Sequence, residues 1–211
     1  MFRRRQLIVI IATLLFLVLM RWVVEIGPDR FQHYYVTKII DGDTAELRGG
    51  DKVRLLGIDT PEEGQDFYDS ASMFLTNAIL HKNVELKFSH RKRDPYGRLL
   101  AYVFVDSAFI NAKILNHGLG HVYLFPDNMR DTAMTQQLIE AQRQSMADHA
   151  GVWGLEQAII EKYYIGNRSS MRFHRPSCRS VRNLTEANRI EFDSREAALY
   201  EGFSPCRNCQ P

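Results

Sequence analysis

Two groups of residues in this 211-residue chain carry chemistry in their types and spacing. The first consists of carboxylates and arginines: Asp41-Gly42-Asp43-Thr44, Arg54 in Val53-Arg54-Leu55, Asp59-Thr60-Pro61-Glu62, and Asp94-Pro95-Tyr96-Gly97-Arg98. Carboxylate oxygens suit a hard cation, and the planar fork of arginine holds two oxygens of a phosphate at once. Each piece alone also has an ordinary structural use. D-G-D-T closes hairpins, D-T-P-E starts helices with Asp or Thr as the cap and Pro in the first turn, and an isolated arginine on a strand is usually a solvated charge. The second group is His174-x-x-x-Cys178 followed by Cys206-x-x-Cys209. One imidazole and three thiols make four soft ligands of the kind that close a tetrahedral Zn²⁺ site. All three cysteines lie in the last 34 residues, and an odd number cannot all pair within the chain, so a metal site fits better than a disulfide framework.

The elements that must position these residues follow from pattern. Short β-branched and aromatic runs at 34–40, 44–47, 53–58, 84–88 and 99–105 predict five strands, separated by the turns Asp41-Gly42-Asp43 and Gly49-Gly50-Asp51. Helical spacing predicts three helices, over 66–80, 110–116 and 131–149. The class is α+β, and five strands with interposed helices are compatible with a small OB-type β-barrel, although periodicity does not choose that barrel over other α+β folds. After Trp153-Gly154 the composition becomes rich in Arg, Asn and Ser. A segment of that size has too little apolar material for a core of its own and needs a metal or disulfides. The divisions expected are residues 1–30, 31–157 and 158–211.

The N-terminus reads Met-Phe-Arg-Arg-Arg and then an apolar run, 18 residues from Leu7 to Val24 with Arg21 within it. As a helix the run is roughly 27 Å long, barely enough for a bilayer core, with Arg21 snorkelling to the interface. Arg3, Arg4 and Arg5 would stay in the cytoplasm, so the rest of the chain is expected outside it as a single-pass membrane protein. Secretion after signal cleavage is the alternative, but no small-x-small site follows the run. Net charge is +2, hydrophobic residues make up 45% and charged residues 25%. That composition excludes a disordered chain and is a weak guide to nucleic acid, because a groove can be basic in a nearly neutral protein.

In order and together, the carboxylate and arginine motifs resemble the staphylococcal (thermonuclease-like) nuclease family over about 34–153. The matching segments are Val53-Arg54-Leu55-Leu56-Gly57-Ile58-Asp59-Thr60-Pro61-Glu62 and Tyr96-Gly97-Arg98-Leu99-Leu100-Ala101-Tyr102. The resemblance implies an OB barrel in which Asp43, Asp59 and the carbonyl of Thr60 hold one Ca²⁺. It also implies that Glu62 orients or deprotonates the attacking water, and that Arg54 and Arg98 bind the scissile phosphate. Such a set makes chemical sense, because a phosphodiester under attack gathers negative charge where a cation and two guanidiniums stand preorganised. Tyr96 is a candidate to pack on a base or ribose. The basic run His90-Arg91-Lys92-Arg93 is either a nucleic-acid track or a solvated loop. Val122-Tyr123-Leu124-Phe125-Pro126 departs from the paired tyrosines common in the family, which bears on base stacking.

Residues from about 164 to 211 resemble the metal-binding domain of the Ada DNA-repair protein through F-x-R-P-S-C, the Glu196-Ala197-Ala198 helix and G-F-x-P-C-x-x-C-x-P. Where that family carries a methyl-accepting Cys, this chain has His174, so no alkyl transfer is expected and a structural zinc module remains. Arg172, Arg175, Arg179 and Arg182 are its candidates for phosphate contacts. In an oxidising compartment zinc would compete with a disulfide such as Cys206–Cys209. The function expected is a Ca²⁺-dependent endonuclease acting on DNA and RNA. The alternatives are a non-catalytic membrane-tethered nucleic-acid receptor and a zinc-dependent regulator or repair protein. Retention of all the carboxylates and arginines weighs against the receptor, and His174 and the anchor weigh against the regulator.

Overall fold

Strand β1 (Gln32–Ile39) pairs antiparallel with β2 (Thr44–Leu47), and β2 with β3 (Lys52–Leu55). On its other edge β1 pairs with β5 (Asn83–Arg93), which pairs with β6 (Leu99–Val105). A parallel pairing of β3 with β6, Val53 beside Leu99 and Leu55 beside Ala101, closes the five strands into a barrel. Alternation along the strands buries Val36, Ala45, Val53, Leu55, Leu86, Ala101 and Val103 to 1% exposure or less. It also turns Arg54, between Val53 and Leu55, to the outer face opposite Thr44. The computed structural model describes Thr13, residues 32–126, 131–156 and 160–211. Among these residues no helix is long and apolar enough to cross a membrane. The expected anchor in residues 1–30 lies, Thr13 apart, outside the described residues.

The expected strand over 53–58 is in fact two. Gly57 takes a φ of 82°, a left-handed turn that breaks the run after Leu55 and restarts it as β4 (Ile58–Asp59). This short strand pairs with β8 (His121–Val122), placing Asp59 opposite His121. β7 (Ala108–Phe109) adds an edge strand beside β6. The three helices are present as α1 (Tyr68–Ile79), α2 (Ile110–Asn116) and α3 (Thr132–Ala147). The last is capped by Asp131, whose carboxylate accepts the Met134 N–H.

Two close approaches bring the motifs together. A Cβ on Gly42 would stand 2.7 Å from Thr60 Oγ1 and 2.6 Å from Ala71 Cβ, so only glycine lets the Asp41–Asp43 turn lie on the Asp59-Thr60 segment and α1. A Cβ on Gly120 would stand 2.5 Å from the Asp59 carbonyl oxygen. The C-terminal part forms a four-stranded sheet in the order β11 (Arg189–Phe192), β9 (Tyr164–Asn167), β10 (Arg172–His174), β12 (Ser204–Pro205), with α4 (Arg195–Tyr200) against it. Residues 32–211 make one compact unit. Phe173, Phe192, Leu199 and Phe203 of the C-terminal part belong to the same apolar cluster as the barrel. Gln142 of α3 ties the parts with two buried bonds, accepting from the Val122 N–H at 2.7 Å and donating to the Leu199 carbonyl at 2.6 Å.

Candidate active site and metal centre

On the barrel, Arg54 stands between two buried carboxylates. Its Nη2 lies 3.0 Å from Asp43 Oδ2 and 2.7 Å from Asp59 Oδ1. Its Nη1 donates to the carbonyls of Leu55 and Ile58, which locks the fork at the strand break that Gly57 creates. Asp43 also accepts the Thr60 N–H at 3.2 Å and the Thr44 hydroxyl at 3.0 Å. Arg98 reaches the same network from the β5–β6 turn. Its Nη1 donates to Thr44 Oγ1 at 3.5 Å, and Asp94 accepts from its Nε at 2.8 Å. The structure therefore brings together Asp43, Arg54, Asp59, Thr60 and Arg98 in one connected cluster.

Glu62 stands beside this cluster rather than in it. It is exposed and lines a cleft of about 700 Å³ together with Asp59, Thr60 and His121. Arg54 and Arg98 line a second cleft, of about 600 Å³, with Tyr96, Tyr123 and Phe125. Tyr96 is 85% exposed at its rim, with the Arg98 guanidinium 5.6 Å from its ring centre. Of the basic run, Arg91 lines this cleft, whereas Arg93 is committed to Asp51 at 2.9 Å and to the Gly97 carbonyl.

Burial and neighbouring acids shape the electrostatics of the cluster. Burial pushes the Asp43 carboxyl up to about 6; Arg54 opposes the shift, and Asp41 and Asp59 add to it. His121, beside Asp59, is held down at about 4 by burial against the attraction of Asp59, with Arg195, Arg172 and Arg207 adding to the depression, so its imidazole is neutral at physiological pH.

In the C-terminal sheet, His174, Cys178, Cys206 and Cys209 present their ligand atoms within 4.8 Å of one another. His174 Nδ1 is buried and, among the described residues, has no hydrogen-bond partner, an arrangement that costs free energy unless the nitrogen binds something. Burial, with Arg172 nearby, lowers the His174 pKa and keeps the ring neutral, as a ligand requires. Burial alone would raise the Cys178 thiol, but hydrogen bonds from Ser180 and the neighbouring thiols bring its net shift downward. Cys209 is pushed by burial up to about 12. Two of the arginines suggested for phosphate contact have structural posts instead. Arg172 donates to the Leu124 carbonyl and lies 3.6 Å from the Tyr123 ring centre, and Arg175 holds Glu161 and the Cys209 carbonyl.

The chain matches the family model described as staphylococcal nuclease homologue over residues 52–154, and the metal binding domain of Ada over 156–211. It is 32% identical over 133 residues to a thermonuclease of Staphylococcus intermedius, covering 59% of this chain and 77% of that one. The chain belongs to the staphylococcal nuclease family. Similarity extends to a thermonuclease of Staphylococcus hyicus, 27% identical over 164 residues, covering 70% of this chain and 95% of that one. Endonuclease YncB of Bacillus subtilis is 30% identical over 140 residues, covering 61% of this chain and 65% of that one. The protein is accordingly a phosphodiester-hydrolysing nuclease with a nucleic-acid substrate, carrying an Ada-type metal-binding segment after the nuclease barrel.

Sequence reasoning missed two residues that stand against Asp59, His121 and Arg207. Arg207, from the turn between Cys206 and Cys209, donates to both oxygens of Asp59, at 2.8 and 3.0 Å, across 148 positions of chain. No local pattern announces a contact over that separation. A basic residue between two metal ligands reads as a surface charge until the fold places it.

Proposed function

We propose that this nuclease is a Ca²⁺-dependent endonuclease cleaving DNA and RNA, with Asp43, Asp59 and the Thr60 carbonyl as the residues that hold the ion. The donor set fits: buried carboxylate oxygens of Asp43 and Asp59 converge on one point, and burial drives Asp43 toward protonation although Arg54 and the Thr60 N–H oppose it. When bound, the ion supplies positive charge to the phosphate oxygens and to the attacking water. Arg54 and Arg98 bind the scissile phosphate, their guanidiniums preorganised because Arg54 Nη1 is fixed by two carbonyls and Arg98 Nε by Asp94, with Nη2 of each turned to the phosphate when the ion holds the carboxylates. Glu62, on the open side of Asp59, accepts the hydrogen bond of the attacking water and sets its direction. Tyr96 offers an exposed face to a base or ribose.

His174, Cys178, Cys206 and Cys209 would hold Zn²⁺ in a structural role. The orphaned imidazole nitrogen and the converging thiols support this reading. The same reading takes residues 1–30 as a membrane anchor with the nuclease on the extracytoplasmic side, residues 31–157 as the nuclease domain and 158–211 as the zinc module. The observation that carries the nuclease chemistry is the bridge of Arg54 between Asp43 and Asp59, linked through Thr44 to Arg98.

The test is digestion of single-stranded DNA and of RNA by the full chain as calcium is added to calcium-free, zinc-loaded protein. Cleavage that rises with calcium is expected. Full activity without added divalent cation would overturn the calcium assignment.

A further inference from the structure

Arg207 has no part in the reading above, yet it joins the metal-ligand turn to the nuclease carboxylates. Its place is set by Cys206 and Cys209 on either side and by the turn's own bonds: the Cys206 N–H donates to the Phe173 carbonyl at 3.0 Å, and the Gln210 N–H to the Cys206 carbonyl at 2.9 Å. From there the guanidinium meets both oxygens of Asp59, comes within 4.0 Å of Glu62, and lies 5.2 Å from the Tyr123 ring centre. Its side chain is 60% exposed, so a ligand can reach it. Arg207 also lines both clefts, the one with Glu62 and the one with Arg54, Tyr96 and Arg98. A phosphodiester chain running from the aromatic cleft toward Glu62 would pass beside it.

The charge balance points the same way. Asp59 Oδ1 accepts from two guanidiniums, Arg54 at 2.7 Å and Arg207 at 2.8 Å. A divalent ion on Asp43 and Asp59 would compete for those oxygens and leave Arg207 beside Glu62. The turn still anchors its backbone, and Arg207 lines both clefts, so its fork of N–H donors would be open to a ligand between them. An anion with several oxygens is the ligand that satisfies such a fork.

We propose that Arg207 is a third phosphate-binding arginine of the nuclease site and that zinc ligation of the Cys206–Cys209 turn delivers it. The C-terminal module is thus part of the substrate-binding machinery. This rests on the assignment of Arg54 and Arg98 as the site's phosphate-binding pair, and the test separates the two. Binding of a fluorescent, phosphorothioate-linked single-stranded oligothymidylate is measured on the full chain by anisotropy, with calcium present and salt varied. Arg207→Ala should bind about tenfold more weakly, as loss of one charge-assisted contact implies. The slope of log affinity against log salt should shrink by about 0.7, one phosphate contact on a single strand, with zinc content and melting temperature unchanged. Arg207→Lys should recover the slope and only part of the affinity. His174→Ala should lose zinc and show the affinity loss of Arg207→Ala.

Normal affinity and slope in Arg207→Ala, or tighter calcium binding with undiminished oligonucleotide binding, would overturn the proposal. The second result would make Arg207 a plug on Asp59. A zinc-free His174→Ala protein that binds normally would overturn the delivery by zinc. If Arg54→Ala also binds normally, the nuclease-site assignment itself fails; if Arg54→Ala is impaired and Arg207→Ala is not, only the present inference fails.

Discussion

The barrel and the C-terminal module keep their functional residues in place by opposite means. In the barrel, strand alternation buries an apolar interior, and the charged cluster sits on its outer face, fixed by backbone carbonyls and a closed ladder of strands. In the module, the metal-ligand region has only a small cluster of its own, Ile165, Cys178, Val181 and Cys206, while its larger aromatics pack into the barrel's core. The first region has its geometry from its own core and backbone hydrogen bonds. The second borrows a core, and His174, Cys178, Cys206 and Cys209 converge as the ligands that we propose complete its fold. In the proposed reading a metal serves the reaction in the barrel's site and the fold in the module's.

Zinc removal is the largest expected break in this comparison. Structural zinc sites carry on the order of 10 kcal/mol of binding free energy, so Cys178→Ser should lose the metal and raise amide exchange sharply in the ligand turns while β1, β5 and β6 stay protected. Uniform loss of protection across the barrel would mean the two regions share more than a core. Next comes Arg98→Ala. Removing a preorganised donor at a developing charge costs about 10²–10³ in turnover, and circular dichroism and zinc content should not change. Wild-type turnover in that variant would remove Arg98 from the phosphate site.

A smaller effect sharpens the electrostatic side of the contrast. The folded-state pKa of Asp43, about 6, is above the ordinary 3.8. Its contribution to the stability of calcium-free protein is thus fully present below pH 3.8 and lost as pH rises through 6. Asp43→Asn should stabilise the calcium-free protein above pH 6, by no more than about 3 kcal/mol, give no gain below pH 4, and abolish calcium binding by titration. A gain equal at both pH values would refute the buried-charge account. Smallest is Gln142→Ala, which strands the Val122 N–H and Leu199 carbonyl at the junction. A cost of roughly 1–3 kcal/mol in urea unfolding is expected, and no cost would mean the shared aromatics alone hold the module.

Much of the site was legible before folding because its parts are local. D-G-D-T and D-T-P-E place acids at turns, and the alternation Val53-Arg54-Leu55 turns Arg54 outward between two buried neighbours. The H-x-x-x-C and C-x-x-C spacings reach through single turns, so they too were readable. Less legible were the split of the strand at Gly57 and the short pairing of β4 with β8. A two-residue strand has no period to detect, and its partner lies far along the chain.

By itself the sequence determined which residues carry charge, which carry soft ligands, and the periods that make five strands and three helices around them, since these depend on neighbours a few positions apart. Only the tertiary structure decided that Arg54 would bridge Asp43 and Asp59, that Glu62 would stand outside that bridge, and that Arg207 would cross to Asp59 from the metal-ligand turn. The first two depend on barrel closure and on the break at Gly57, and the third on a shared core that makes neighbours of residues 148 positions apart. Packing at that range leaves no spacing rule in the chain.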